Sequence, residues 1–348
     1  MSRNLFVILA VVLQVFVLAF MVGKREMIVR TGQTIWIRTA PIDPRDLFRG
    51  AFVRLKYRLN RVIDSELREG LNQRERQTEG DVVYSVLRET ENGLVELDYT
   101  TDERPESGLF LKGRTTHDGR LTCWGGANLM VKYGIETYFV EQGAGLEIEE
   151  KRGVGGGVQV PLEVEVAVGK DGTSIIKGHR WSLLGIGIEI LPLPRQSRRA
   201  GPPTPPPVGA KLQITLRNAS EKPVAIVNLP DLGAFELKSV RWATKQNEVY
   251  ELVKPLERDV LIENAHVIAL EPGESHVYTI DLEDDRWLVR GKGTRDKPVK
   301  MATLPWEQIF QFVYAPPAKE ACSHLANSAA IWHGHLESQA FHAQGRVD

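Results

Sequence analysis

The chain opens with a continuous apolar segment. Residues 5–22 are apolar apart from Gln14, and basic residues flank the segment on both sides. In helical form, eighteen residues span roughly 27 Å, about the thickness of the hydrocarbon core of a bilayer. The segment ends without the pair of small residues that signal-peptide cleavage requires, which favours an uncleaved anchor over a signal peptide. We therefore predict a membrane anchor over residues 1–27.

The charges beside this anchor bear on its orientation. Arg3 precedes the apolar segment, whereas Lys24, Arg25 and Arg30 follow it. An excess of positive charge after the segment favours a cytoplasmic location for the residues that come next. Long domains, however, cross the membrane largely regardless of flanking charge. We predict a single-pass membrane protein with the bulk of the chain outside the cytoplasm.

After the anchor, apolar and polar residues alternate with the period of two that is typical of β-strands. The clearest case is the valine-rich stretch 158–168, which a glycine-containing turn connects to a second strand at 173–177. Residues 64–78 are highly charged and fit either a short surface helix or an insertion between strands. The pattern predicts a β-rich domain over residues 28–190. Further strands are predicted at residues 34–38, 81–88, 94–99, 108–114 and 133–140.

A proline-rich segment interrupts the strand pattern. Seven of the nineteen prolines fall between Pro192 and Pro207. Proline has no backbone N–H and a fixed φ, so such a segment forms neither a helix nor a central strand and favours an extended polyproline II spacer. We predict a stiff linker and a domain boundary at residues 191–210.

The residues after this segment again form short predicted strands separated by turns. Residues 211–216 and 224–229 are predicted to form a hairpin. Residues 267–270 and 276–282 are predicted to be two strands joined by a tight Glu-Pro-Gly-Glu turn. Strands at this spacing are typical of two packed antiparallel sheets. The predicted fold is therefore mostly β: an N-terminal transmembrane helix, a β-rich domain and, over residues 211–348, an immunoglobulin-like β-sandwich.

Composition narrows the class of protein without naming an activity. The 348 residues are 42% hydrophobic, enough to fill two cores. Their formal net charge is −1, so no long-range positive field attracts nucleic acid, and we predict no nucleic-acid partner. Two cysteines are too few for a disulfide-built scaffold or a cysteine-rich zinc module.

One short segment resembles a known family. Residues 43–57 read DPRDLFRGAFVRLKY, in which Gly50, Leu55 and Tyr57 fit the pattern GDYxxLxY, while Ala51 replaces its Asp and Phe52 its first Tyr. Together with segments at 133–143 and 158–177, this resembles the bacterial membrane-anchored family named for the GDYxxLxY motif, over residues 1–190. The resemblance implies no established enzymatic activity. It also implies a polytopic membrane protein as partner, because members of the family often accompany such proteins.

The motif also has a physical interpretation. From Ala51 onward, Val53, Leu55, Tyr57 and Leu59 alternate with Phe52, Arg54, Lys56 and Arg58, which predicts a strand with one buried and one basic face. Gly50 is expected to need a positive φ before this strand. The basic face is either simply solvated or part of a site for an anion or a lipid headgroup. The residues of such a site would be Arg45, Arg49, Arg54, Lys56, Arg58 and Arg61.

The remaining candidates for chemistry are few. His333 and His335 would share one face of a strand at residues 331–338 and could ligate a metal, but an edge strand closing the sandwich explains the same pattern. Acidic residues at 147–150 and at Glu163 and Glu165 fit solvated faces better than an acid–base pair. No nucleophile or phosphate-loop motif is present, so we predict no catalytic residue and no cofactor.

These observations lead to two hypotheses about function. The first is a non-enzymatic, membrane-anchored binding or assembly module outside the cytoplasm, with the membrane and a polytopic membrane protein as partners. The alternative is a cell-surface hydrolase or metal-dependent enzyme with a site between the two domains. Convergent titratable residues in a cleft would favour the enzyme, whereas an exposed aromatic or apolar patch would favour the binding module.

Overall fold

The computed structural model describes most of the chain. The described residues are 3–39, 52–63, 66–72, 79–90, 93–116, 128–139, 157–191, 211–240, 250–254, 256, 260–292, 294, 296–305 and 308–342. They form two compact units. Unit 1 contains the described residues from 3 to 139 and from 163 to 180, and unit 2 contains residues 157–162 and those from 181 to 342.

Unit 1 consists of one long helix and ten antiparallel strands among its described residues. The helix is α1 (Arg3–Thr31), and short 3-10 helices lie at Arg58–Asn60 and Glu69–Asn72. The strands are β1 (Gln33–Arg38), β2 (Phe52–Arg54), β3 (Arg61–Ile63), β4 (Val82–Glu89), β5 (Val95–Thr101), β6 (Phe110–Thr115), β7 (Asn128–Lys132), β8 (Thr137–Phe139), β9 (Leu162–Val168) and β10 (Ser174–Trp181).

Helix α1 begins with the predicted anchor and continues beyond it. Residues 7–31 are long and apolar enough to cross a membrane, and the most apolar eighteen-residue stretch among them has a mean hydropathy of 2.5 and is not buried against the protein. This supports the predicted membrane anchoring. Only the last turns pack on the fold, where Ile28 is buried and its carbonyl oxygen accepts a hydrogen bond from the N–H of Gly32.

Three sheets build the rest of unit 1. Strands β1, β9 and β10 form one sheet, β3, β7, β6, β4 and β5 form a second in that order, and β2 pairs with β8. The second sheet shows the predicted alternation of side chains between its two faces, since every other residue of β4 from Val83 to Leu87 is buried. A buried polar chain also links these strands: the Ser85 hydroxyl lies 2.9 Å from that of Thr100 and 2.7 Å from that of Tyr133.

Unit 2 contains twelve strands among its described residues. They are β11 (Leu184–Ile190), β12 (Lys211–Asn218), β13 (Val224–Val227), β14 (Phe235–Val240), β15 (Tyr250–Leu252), β16 (Val267–Leu270), β17 (Ser275–Asp281), β18 (Leu288–Gly291), β19 (Val299–Lys300), β20 (Ile309–Tyr314), β21 (Leu336–Glu337) and β22 (Phe341–His342). Short 3-10 helices lie at Pro230–Leu232, Asn264–His266, Asp285–Trp287, Met301–Thr303, Lys319–Cys322 and Ser328–Ala330.

One hydrophobic core holds these strands together. The sheet β11-β12-β17 and the sheet of β14, β20, β21 and β22 contribute to it, as do the two-stranded sheet β13-β16 and the three-stranded sheet β15-β18-β19. Aromatic rings link the two larger sheets, because Phe235 of β14 meets Tyr278 of β17 edge to face at 4.9 Å. The buried Tyr314 hydroxyl donates to the Val227 carbonyl oxygen at 3.1 Å and accepts from the Val227 N–H at 2.8 Å.

The predicted boundary at residues 191–210 needs correction. Strand β11 before the proline-rich segment pairs antiparallel with β12 after it, from Leu184 opposite Asn218 to Ile190 opposite Leu212. Both flanks therefore belong to one sheet of unit 2, and the change of unit falls near Trp181. Proline content indicated an irregular connection but carried no information about which strands it joins. Residues 192–210 themselves lie outside the described residues.

The predicted pairing in the C-terminal block was also partly wrong. Residues 224–229 do not form a hairpin with 211–216, because β13 pairs with β16 and β12 pairs with β11 and β17. The antiparallel, mostly β character is confirmed. An immunoglobulin-like arrangement of these strands remains a prediction.

Candidate functional site

The motif segment lies at the β2–β8 ladder. Gly50, Arg45 and Arg49 lie outside the described residues, and Phe52 is the first residue of β2. Leu55 and Tyr57 are 2% and 3% exposed, so the apolar half of the predicted alternation is buried. Regular strand geometry is shorter than predicted: β2 ends at Arg54, and Tyr57 makes a single bridge with Thr39 before a 3-10 helix begins.

Tyr57 anchors a buried polar network. Its hydroxyl donates to the carbonyl oxygen of Ile135 at 2.8 Å, and its N–H donates to the Asn60 side-chain oxygen at 2.7 Å. The Asn60 amide in turn donates to the carbonyl oxygen of Val131 at 2.9 Å and to Glu136 at 3.0 Å. The motif tyrosine thus fixes the segment against the residues that precede β8, which is a structural role.

The opposite half of the segment forms an exposed surface. Arg54, Lys56 and Arg58 are exposed, as the alternation predicts. In the β2–β8 register, Phe52 lies opposite Phe139 and Arg54 opposite Thr137, so the side chain of Phe139 lies on the same face as that of Arg54. Phe139 is 76% exposed. We refer to Arg54, Lys56, Arg58 and Phe139 as the motif face.

A buried carboxylate lies elsewhere in unit 1. Glu163 is 4% exposed and accepts from Arg38 at 2.6 Å and from Arg180 at 2.7 Å. The Arg180 guanidinium also lies 4.1 Å from the ring centroid of Trp36. Sequence reasoning placed Glu163 on a solvated face and was wrong, because its partners come from β1 and β10. The sequence signal was the presence of two acidic residues, Glu163 and Glu165, in an otherwise apolar strand, which does not distinguish the buried one from the other.

The histidine pair does not share a face. His333 is buried, with Nδ1 at 3.0 Å from the Pro317 carbonyl oxygen, whereas His335 is exposed. The predicted strand at residues 331–338 is broken because Gly334 has φ +148°, and regular pairing resumes only at β21. Within the described ranges, no three His, Cys, Asp or Glu residues lie close enough together to hold a metal ion.

A groove of about 510 Å³ opens on unit 2. Its acidic residues have partners within the fold: Asp231 pairs with Arg286, and Asp284 caps a 3-10 helix by accepting from the Arg286 N–H. The Tyr278 hydroxyl is buried there, and burial raises its pKa well above the ordinary tyrosine value. Asp231 and Leu232 have φ of 57° and 60°, an uncommon conformation for residues with a Cβ. Both of these carboxylates therefore have a structural contact with Arg286.

Helix, sheets and motif segment together define a β-rich module attached to a single apolar helix. Residues 14–178 match the model of the GDYXXLXY protein family, which confirms over this part of the chain the resemblance inferred from the motif. Residues 179–348 lie outside the match. Comparisons with curated proteins and with solved structures gave no match.

Proposed function

We propose that the protein is a single-pass, membrane-anchored binding or assembly module outside the cytoplasm, with no enzymatic role. The motif face carries this proposal, since it presents an exposed aromatic ring beside exposed basic side chains. Aromatic residues and arginine are enriched where proteins bind one another. Of the two hypotheses raised by the sequence, an exposed aromatic patch favours the binding module over the enzyme.

The anchor restricts the choice of partner. A fold that continues directly from a membrane helix remains close to one bilayer, so partners in the same membrane are met far more often than soluble ones. A polytopic membrane protein with an acidic or aromatic extramembrane surface would suit the motif face. The burial of Leu55 and Tyr57 supports this arrangement, because it holds the exposed half of the segment in a fixed geometry.

The test is co-purification of the full-length protein in a mild detergent. We expect a stoichiometric polytopic partner with the parent protein and at least a tenfold loss of it in the double variant Phe139→Ser, Arg54→Ser, since central interface residues typically contribute about 2 kcal/mol or more. The matched control is Ile63→Ser, Lys132→Ser, which removes one exposed apolar and one exposed basic side chain from other strands. Equal recovery of the partner with both double variants would exclude the motif face as its binding surface.

A further inference from the structure

The junction between helix α1 and the fold brings together residues distant in sequence. The turn between β9 and β10 lies against the helix: the Lys24 ammonium is 3.5 Å from the Asp171 carboxylate, and a Cβ placed on Gly169 would be 3.2 Å from the Ile28 side chain. Burial alone would raise the pKa of Asp171, but hydrogen bonds from Thr173 and the charge of Lys24 outweigh it and lower that pKa. The turn is therefore fixed beside the helix.

Four basic residues lie at this junction. Lys170 at the tip of the turn is exposed, and its carbonyl oxygen accepts from the exposed Arg104 guanidinium at 3.1 Å. Arg25 is exposed on the helix beside Lys24. We call Lys24, Arg25, Arg104 and Lys170 the collar. Asp171 offsets one of its four positive charges.

With the apolar run in the hydrocarbon core of a bilayer, the collar would lie at the depth of the lipid headgroups. Lys24 and Arg25 follow the end of the apolar run at residue 22 by two and three positions, which is roughly 3–5 Å along a helix. The headgroup region on each side of a bilayer is about 5–8 Å thick. Because Asp171 pairs with Lys24, the turn that carries Lys170 lies beside the helix at this level.

The motif face lies at the other end of β1. Gln33, the first residue of β1, pairs with Val168 next to the turn, whereas Tyr57 of the motif bridges Thr39 just beyond the last residue of β1. Gln33 and Thr39 are six positions apart along the chain, a distance of roughly 20 Å in a strand. The headgroup contact that the sequence suggested for the motif segment therefore fits the collar better.

We propose that the collar binds the headgroups of anionic phospholipids and so holds unit 1 against the membrane surface. The ligand is the phosphate of a lipid in the same bilayer that contains α1. Three basic side chains remain after the Lys24–Asp171 pair is set aside, and each such charge near an anionic surface changes association about fivefold.

The experiment uses the full-length protein in lipid nanodiscs of equal parts phosphatidylcholine and phosphatidylglycerol. Electron paramagnetic resonance of spin-labelled lipids gives the ratio of phosphatidylglycerol to phosphatidylcholine at the protein. We expect the double variant Arg25→Gln, Lys170→Gln to lower this ratio at least fivefold. The matched variant Arg54→Gln, Lys56→Gln removes the same charge from the motif face and should leave the ratio unchanged. Lys170→Arg, which keeps the charge, should keep the preference.

Three outcomes would overturn the proposal. The first is an unchanged ratio in the collar variant, and the second is an equal or larger fall in the motif-face variant. The third is displacement of phosphatidylglycerol by inorganic phosphate beyond that caused by chloride at the same ionic strength, which would indicate a site for free anions. A raised salt concentration should reduce the preference of the parent protein, because screening shortens the reach of exposed charges.

Discussion

The buried hydroxyl of Tyr57 gives a stability prediction that can be worked from the structure. The side chain is 3% exposed, and its hydroxyl donates to the Ile135 carbonyl oxygen at 2.8 Å. Tyr57→Phe keeps the ring and removes the donor from that carbonyl group, which costs about 1–3 kcal/mol for a buried polar group. Tyr57→Ala also removes the ring and should cost about 3–5 kcal/mol.

Thermal unfolding of the full-length protein in detergent, followed by tryptophan fluorescence, measures this effect. One kcal/mol corresponds to about 2–4 °C in a domain of this size, so Tyr57→Phe should melt several degrees below the parent. Tyr138→Phe is the control, because the Tyr138 hydroxyl meets His179 at 3.1 Å in an exposed position and its loss should cost under about 0.5 kcal/mol. If Tyr57→Phe and Tyr138→Phe have the same melting temperature, the Tyr57 hydroxyl does not hold the motif segment in place.

Three further predictions follow from backbone geometry, strand pairing and the anchor. Gly172→Ala should destabilise unit 1 by about 1 kcal/mol or more in the same melt, because Gly172 has φ +79° and an added Cβ would lie 2.8 Å from Phe110, whereas Gly108→Ala meets no atom within 4 Å and should cost less. Cleavage at a protease site engineered within residues 192–210 should leave both fragments co-eluting in size-exclusion chromatography, since β11 and β12 remain paired; separation without denaturant would contradict the pairing. The intact protein should stay with the membranes during alkaline extraction. Protease added outside intact spheroplasts should digest the protein, whereas resistance to the protease until the spheroplasts are lysed would place the bulk of the chain in the cytoplasm.

Local patterns predicted the parts of the fold that depend on neighbouring residues. The apolar helix is visible because membrane crossing needs an uninterrupted apolar length. The alternation around Leu55 and Tyr57 is visible because burial on one side of a strand repeats every two residues. Strands near residues 34–38, 81–88 and 173–177 were found for the same reason.

Contacts between residues that are distant in sequence could not be predicted from these local patterns. Glu163 is buried because Arg38 lies opposite it in the β1–β9 register and Arg180 reaches it from β10. Nothing near Glu163 in the sequence identifies these partners. The same limit explains the misplaced boundary, since a proline-rich segment has the same composition whether it joins two domains or two strands of one sheet. The collar was missed because Lys170 joins the helix only through the folded turn.

The pairing across the proline-rich segment sets an order of events for a chain emerging from the ribosome. The N-terminal strand β1 can pair only after β9 has been synthesised, some 130 residues later, so the sheet that contains β1 forms late. Strand β11 is synthesised next and can pair only once β12 is available. The Gln339 side chain is synthesised later still. It accepts a hydrogen bond from the Ile188 N–H and donates one to the Gly157 carbonyl oxygen. A nascent chain that has emerged from the ribosome only as far as about residue 190 would therefore present β11 as an unpaired, apolar edge to chaperones or to other copies of itself.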